Sequence, residues 1–439
     1  DGETIDKIKK RMREIIDADL PFLHKTIRTV DATVLFRERG MNDKARLIET
    51  AGMPYTSYYE LDGYVNFFYG CLTPSTGYIQ LFDIVPYFDG VLLQIPKRRN
   101  PLELEPAIKQ DKMFEAYKEH LTLQRTLGLN NVGDLNRAIE NGHTSEVIMV
   151  SEAMQEKQVA KIAEEIAGRY QDGVRIVLIS GPSSSGKTTF CKRLEVQLIT
   201  NLIHPVSISL DDYFLNREDT PKDESGDYDF ESLYALDLPY FNSEMKKLLS
   251  GEEIEVPSFN FETGLRVYKG KKLKMRENSV LVIEGIHALN PELTSMIDDK
   301  YKYRVYVSVL TSISLDNHNW IPTTDNRLLR RIIRDYRFRG YSAKDTIARW
   351  PSVRRGEDKW IFPYQENADA MFNSAMLYEL AALRKFAEPI LAEVREDEEE
   401  NAEAYRLLRF LRYFNYIPDV GLPGTSLLRE FLGGGSFRY

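Results

Sequence analysis

Between residue 174 and about residue 375, short apolar runs alternate with stretches whose apolar positions recur at helical spacing. The runs Val174 to Ser180, Val206 to Leu210, Val280 to Glu284 and Arg304 to Leu310 are continuous and rich in β-branched residues. That pattern predicts strands buried on both faces of a parallel sheet, with helices such as Thr189 to Thr200 between them. Its fold class is α/β, a doubly wound sheet. The first ~100 residues differ: a charged helical pattern from Ile5 to Ala18 precedes aromatic, alternating segments at Tyr58 to Phe68 and Tyr78 to Tyr87, which predict an α+β region. Residues 128–145 are rich in Asn and Gly, and Ser151 to Tyr170 has the spacing of an amphipathic helix, so a boundary is expected near residue 150. Beyond Asn373 the pattern is helical. The division predicted is 1–150 (α+β with a linker), 151–375 (α/β) and 376–439 (a helical extension), with the acidic run Glu396 to Glu400 as a solvated face and no internal repeat.

Composition narrows the class. The 439 residues carry a formal charge of −9, with a pI near 5.5, which argues against wholesale nucleic-acid binding despite the local patch Lys97-Arg98-Arg99. Two cysteines, Cys71 and Cys191, exclude a disulfide scaffold, and the six histidines show no zinc-ligand spacing. No apolar run approaches the ~18 residues that span a bilayer, and the start lacks a secretory apolar core. A soluble cytoplasmic protein is expected, and the absent initiator Met suggests that residue 1 is not the native start.

Chemistry concentrates at Gly181-Pro-Ser-Ser-Ser-Gly-Lys-Thr188, which has the spacing G-x-x-x-x-G-K-[ST] between strand-like and helix-like sequence. Gly181 and Gly186 allow backbone dihedrals that turn N–H groups inward, Ser183, Ser184 and Ser185 are small walls, and the next helix offers its positive end. Lys187 would reach the β and γ phosphates of ATP, the Thr188 hydroxyl would ligate Mg²⁺, and Thr189 extends the nucleotide-binding stretch.

Three further constellations follow in chain order. Asp211 and Asp212 end the second strand, where open α/β sheets place ligands; one can accept a hydroxyl proton and help hold Mg²⁺, or both can belong to a turn or cap. Glu284 ends a buried strand in the manner of a metal-directed carboxylate. Arg327, Arg330, Arg331 and Arg334 share one helical face, which can close over ATP and stabilise the moving phosphoryl, form a salt-bridged surface, or face RNA.

Taken in order, G-P-S-S-S-G-K-T-T (181–189), L-D-D-Y-F (210–214), Y-D-F (228–230), V-P-S-F-N-F (256–261), I-E-G-I (283–286) and R-L-L-R-R-I-I-R-D (327–335) resemble the uridine kinase and phosphoribulokinase family. The resemblance implies an ATP-dependent kinase that phosphorylates the 5′ hydroxyl of a nucleoside. It implies Asp211 as general base and Asp229 as the carboxylate gripping the ribose hydroxyls. Tyr213, Tyr228 and Phe261 fall where the family walls the base, with Arg266 in the acceptor region. The family pattern V-P-x-Y-D-F-x-x-H reads pyrimidine edges with its Tyr and His, and these positions are Phe259 and Gly264, so selection for uracil or cytosine should weaken.

The N-terminal part, through Lys10 to Pro21 and Tyr64 to Gly77, is similar to the editing-type additional domain of threonyl-tRNA synthetase. Phe68 and Leu72 stand at that family's Cys-x-x-x-His positions, which implies a module kept for assembly, regulation or RNA contact. Two rivals accompany the nucleoside kinase: a kinase of another small acceptor such as a sugar phosphate, and an ATP-switched RNA-binding or regulatory protein. A small hydroxyl acceptor is the expected partner, with no membrane, tRNA contact left open, and a homo-oligomer equally open.

Overall fold

The structure, a computed structural model, describes residues 2–97, 100–223, 226–260 and 263–438. Five parallel strands form the central sheet, in the order Ala370–Asn373, Lys302–Ser308, Ile176–Ser180, Ser279–Glu284 and His204–Ser209. Ile176 to Ser180 are all buried, as are Ser279 to Ile283, because helices cover both faces of the sheet. The α/β expectation therefore holds, and each of the four predicted apolar runs overlaps a strand that starts within two residues of the expected position. Residue Glu284 pairs in register with Ile179 on one side and Ser209 on the other, so three strand ends share one carboxyl edge. That edge is where parallel sheets place ligands.

Three elements frame it. The helix Lys187–Thr200 leaves the loop after the first strand. An antiparallel hairpin, Ile254–Asn260 with Leu265–Leu273, packs on the turn that follows His204–Ser209. Helix Thr323–Phe338 carries the arginines.

The N-terminal region holds a three-stranded antiparallel sheet, Leu23–Arg28, Tyr55–Leu61 and Tyr64–Asn66, beside the helices Thr29–Glu38 and Asn42–Thr50. A buried ion pair ties it to the α/β part of the chain: Lys44 Nζ donates to Asp316 Oδ1 at 2.8 Å, and both side chains are fully buried. Asp316 is saturated, since it also accepts from the N–H groups of His318 and Asn319 and from the Asn319 amide. Such a pair adds little net stability but strongly disfavours any arrangement that separates its partners.

The Asn/Gly-rich stretch at 128–145 is not a bare linker. Asn131 accepts from the Asp134 N–H at 3.2 Å and Asp134 accepts from the Asn131 N–H, a reciprocal cap that starts the helix Val132–Glu140. Helix Thr144–Gln171 then runs unbroken through position 150. The C-terminal helices Glu379–Ala392, Asn401–Leu411 and Arg429–Leu432 place Leu383, Leu407, Phe410 and Phe431, with Leu427 just ahead of the last helix, in the same apolar cluster as Phe36 and Leu47. Among the described residues, no helix is long and apolar enough to cross a membrane.

Candidate active site

The loop from Gly181 to Gly186 is shaped by close approaches. A Cβ on Gly181 would lie 2.0 Å from the Val307 carbonyl oxygen, so no side chain fits where the chain leaves the sheet. Ser184 and Gly186 take left-handed φ values of 59° and 83°, which turn successive N–H groups toward one concavity. The hydroxyls of Ser184 and Ser185 are buried without a hydrogen-bond partner. Orphaned donors beside a helix N-terminus suit an anion, and the phosphates of a nucleotide match this donor set.

Lys187 is almost fully buried and its Nζ donates to the Pro182 carbonyl at 3.1 Å, folding the side chain over the loop. Desolvation pulls its ammonium below the usual range, while the charges of Glu284, Asp211 and Glu430 pull it back up. Thr188, half-buried, occupies the next helical position.

The carboxylates come from adjacent strand ends. Ser209 Oγ accepts the Asp211 N–H at 3.3 Å and caps the 3₁₀ turn Leu210–Tyr213, and the bare Gly285 leaves room for the Leu210 side chain packed against it. Asp211 lies open at the rim. Protein on its other sides pushes its carboxyl up by desolvation, while Lys187, Arg339 and Arg334 draw it down. Glu284, deeper in, is pushed up to about 7 by desolvation, with Asp211 and Glu430 adding to the rise and Lys187 opposing it. Asp211 and Asp212 part company: Asp212 Oδ1 accepts the Phe259 N–H at 3.3 Å and fastens the hairpin to the turn.

The arginine face divides into two pairs. Arg327 and Arg330, expected to clamp a phosphoryl group, are instead buried: Arg327 pairs with Glu357 (Nη2 to Oε2, 2.8 Å) and Arg330 with Glu379 (Nη2 to Oε2, 2.7 Å). Their remaining donors reach the carbonyls of Ser183 and Ser184 at 3.2 and 3.3 Å. Both therefore brace the outside of the anion loop: Arg330 spends all five of its N–H donors inside the protein, and Arg327 is buried against Glu357 and the Ser183 carbonyl. Arg331 and Arg334 remain nearer the cleft; Arg331 Nη1 reaches Ser183 Oγ at 2.9 Å, and both lean on Asp335.

Several acceptor expectations change as well. Tyr213 is fully buried, its ring 5.1 Å edge-on from Phe241, so it is core rather than a wall. Phe259, likewise buried, packs on Phe214. Arg266 is a clamp: it donates to Asp237 at 3.0 Å and to the carbonyls of Tyr213 and Phe214, under the Tyr240 ring. Phe261 lies outside the described residues. Tyr228 stays exposed, its ring 6.0 Å from Phe230, and Asp229 is half-buried beside it. At Gly264 a Cβ would lie 2.7 Å from Arg217 Nε, so the arginine side chain covers that position.

Sequence reasoning missed four residues. Glu357 accepts from the Ser183 N–H at 3.1 Å, the charge of Arg339, which leans on Asp335, acts on Asp211, and Glu430 accepts from Thr189. The fourth, Glu231, packs against the bare Gly356 and is pushed up to about 7 by desolvation, opposed by Arg331. Glu231 directly follows the Y-D-F motif and Arg339 caps the arginine helix, but no spacing tied either to the loop, while Glu357 and Glu430 lie in stretches without a motif.

A strand that runs into an anion cradle, a buried lysine folded over it, and two carboxylates at the same parallel edge define the P-loop phosphotransferases as a class. Residues 176–380 match the family described as phosphoribulokinase / uridine kinase, and the C-terminal part of the chain carries a P-loop kinase domain of that family. The chain is 28% identical over 197 residues to the uridine kinase of Ureaplasma urealyticum, covering 44% of this chain and 85% of that protein. It is 30% identical over 197 residues to the uridine kinase of Schizosaccharomyces pombe, covering 44% of this chain and 37% of the relative. To the uridine kinase of Halobacterium salinarum it is 28% identical over 194 residues, 44% of this chain and 76% of the relative.

Proposed function

We propose that the protein transfers the γ-phosphoryl of ATP to the 5′ hydroxyl of a nucleoside. One observation carries this reading: the anion loop 181–186 with Lys187 folded over it, and the carboxylates Asp211 and Glu284, leave adjacent parallel strands at one carboxyl edge. The triphosphate would lie against the loop and first helical turn, 181–189, apart from the Ser183 N–H that Glu357 holds, with Lys187 at its β and γ phosphates. Asp211, a carboxylate raised above its usual range and open at the rim, takes the hydroxyl proton as the phosphoryl moves. Arg331, Arg334 and Arg339 supply the positive potential that developing oxygen charge requires, and Arg327 and Arg330 keep the loop in shape. Thr188, Asp211 and Glu284 form a hard oxygen set that suits Mg²⁺, which when bound would neutralise phosphate charge. Asp229 and Tyr228 are the acceptor contacts this reading retains.

The altered base pocket favours a second acceptor class. With Phe259 buried and Arg217 lying over Gly264, the polar edge readers are replaced by an apolar ring and a cation, which suits a sugar phosphate as well as a nucleoside. A screen of ATP consumption across ribo- and deoxyribonucleosides and sugar phosphates separates the two. Turnover with sugar phosphates alone would refute the nucleoside assignment.

For residues 1–150 we propose a module docked on a kinase unit at 151–375 and on a helical extension at 376–439, joined to them by the Lys44–Asp316 pair and a shared apolar cluster. Its likeness to a synthetase domain suggests assembly, regulation or tRNA contact, in the soluble cytoplasm. Salt-sensitive retention of tRNA on filters, without acceptor-dependent ADP release, would favour the RNA-binding alternative over the kinase.

A further inference from the structure

The first turn of helix Lys187–Thr200 already holds an anion, and it belongs to the protein. Glu430, on the short C-terminal helix Arg429–Leu432, accepts from both the Thr189 N–H (3.2 Å) and the Thr189 hydroxyl (2.7 Å) through one carboxylate oxygen, Oε2. Thr189 is the third residue of that helix, so its N–H is one of the donors that has no partner within the helix and that a bound phosphate would use. Beside it Leu427 fills the space outside Gly186, where a Cβ would lie 2.6 Å from Leu427 Cδ2. The charge of Glu430 is felt at both Lys187 and Glu284, which places the carboxylate inside the electrostatic reach of the site.

We propose that Glu430 is a built-in competitor for the nucleotide, its carboxylate standing in for one phosphate group until ATP displaces it. The inference rests on reading residues 181–189 as the nucleotide's phosphate site. A phosphate and a carboxylate cannot share the Thr189 donors, because two anions at hydrogen-bond distance from one N–H would lie within a few ångström of each other in a site that also holds Asp211 and Glu284. The segment itself is well anchored: Leu427, Leu428, Phe431 and Leu432 are buried, Arg429 donates to the carbonyls of Asp419 (2.9 Å) and Leu422 (2.7 Å), and Phe431 lies against Arg330. Displacement is therefore a rotation of the Glu430 side chain, with Leu427 and the helix staying in place. Glu430 sets nucleotide affinity by the fraction of molecules in which it has swung away.

The test pairs ATP binding with stability in the full chain, comparing wild type with Glu430→Gln and Glu430→Ala by calorimetric titration and by melting without nucleotide. Loss of a charge-assisted competitor should tighten ATP binding by about tenfold. The same change should lower the melting temperature of the nucleotide-free protein, since the helix end loses its anion. A residue that merely braced the loop would weaken both. Equal or weaker ATP binding in both variants overturns the proposal. If folded wild type and variants alike bind no ATP, the phosphate-site reading fails and this inference falls with it. Hydrogen exchange on the wild type covers the case of variants that do not fold: saturating ATP should slow exchange at 181–189 and leave 429–433 unchanged, because only the Glu430 side chain moves, and slowing at both segments refutes displacement.

Discussion

Replacing Glu379 by Gln strands the Arg330 guanidinium inside the protein. Both side chains are fully buried, and Arg330 spends its other donors on the Ser184 carbonyl (3.3 Å), the Ser374 hydroxyl (3.1 Å) and the Ser374 carbonyl (2.9 Å). No water reaches it to replace the lost charge. Breaking one side of such a pair costs about 3–5 kcal/mol, and at ~1 °C per kcal/mol for a chain of 439 residues the melting temperature should fall by roughly 3–5 °C. ATP affinity should fall with it, because Arg330 holds the carbonyl of Ser184, the residue whose φ of 59° shapes the anion loop. The double variant Arg330→Met with Glu379→Met, similar in volume and carrying no charge, should recover much of the melting temperature while leaving ATP binding weak. Thermal melting followed by fluorescence, with ATP titration on each variant, reads both effects. A Glu379→Gln protein melting within about 2 °C of wild type would refute the reasoning, as would a double variant whose loss equals the sum of the singles.

Other expectations follow from the same geometry. Gly181→Ala should abolish ATP binding and lower the melting temperature, because its Cβ would lie 2.0 Å from the Val307 carbonyl oxygen; a variant that binds ATP normally would show that the strand exit can move. Lys187→Ala should remove turnover, and Asp211→Asn should lower it by ~10²–10⁴-fold with ATP binding retained, checked by steady-state rates and titration; an unchanged rate removes Asp211 from its role. Glu284 carries a carboxyl raised in the folded protein from 4.5 to about 7, so its protonated form supports folding fully below 4.5 and that support is lost as pH rises through about 7. Between pH 5 and pH 8, nucleotide-free wild type should therefore lose roughly 2–3 kcal/mol more stability than Glu284→Gln. Equal pH profiles in denaturant melts would contradict the desolvated environment of that carboxyl.

What could be read along the chain was whatever short-range pattern encodes. Buried strands in a covered parallel sheet must be apolar at consecutive positions, so the runs at 176–180 and 279–283 announce themselves, and the turn between the first strand and its helix needs glycine and small residues at fixed spacing. Asp211 and Glu284 were visible because strand ends are where such a sheet exposes polar groups. Helical spacing put four arginines on one face but carried no information about what that face meets. Burial decided it: Glu357 and Glu379, thirty and forty-nine positions away, take up Arg327 and Arg330 as braces and leave only Arg331 and Arg334 near the cleft. Tyr213 and Arg266 follow the same logic, one drawn into the core by Phe241 and the other consumed by Asp237 and two carbonyls. Nor could periodicity reveal that Glu430 comes back 241 positions to the Thr189 donors. Local sequence determined which elements form and which loop can hold phosphate, because those depend on neighbours along the chain. Only tertiary structure decided which charged side chains are consumed in buried pairs and which stay at the cleft, because the fate of a charge is set by the desolvation and the counter-charge that distant segments bring to it.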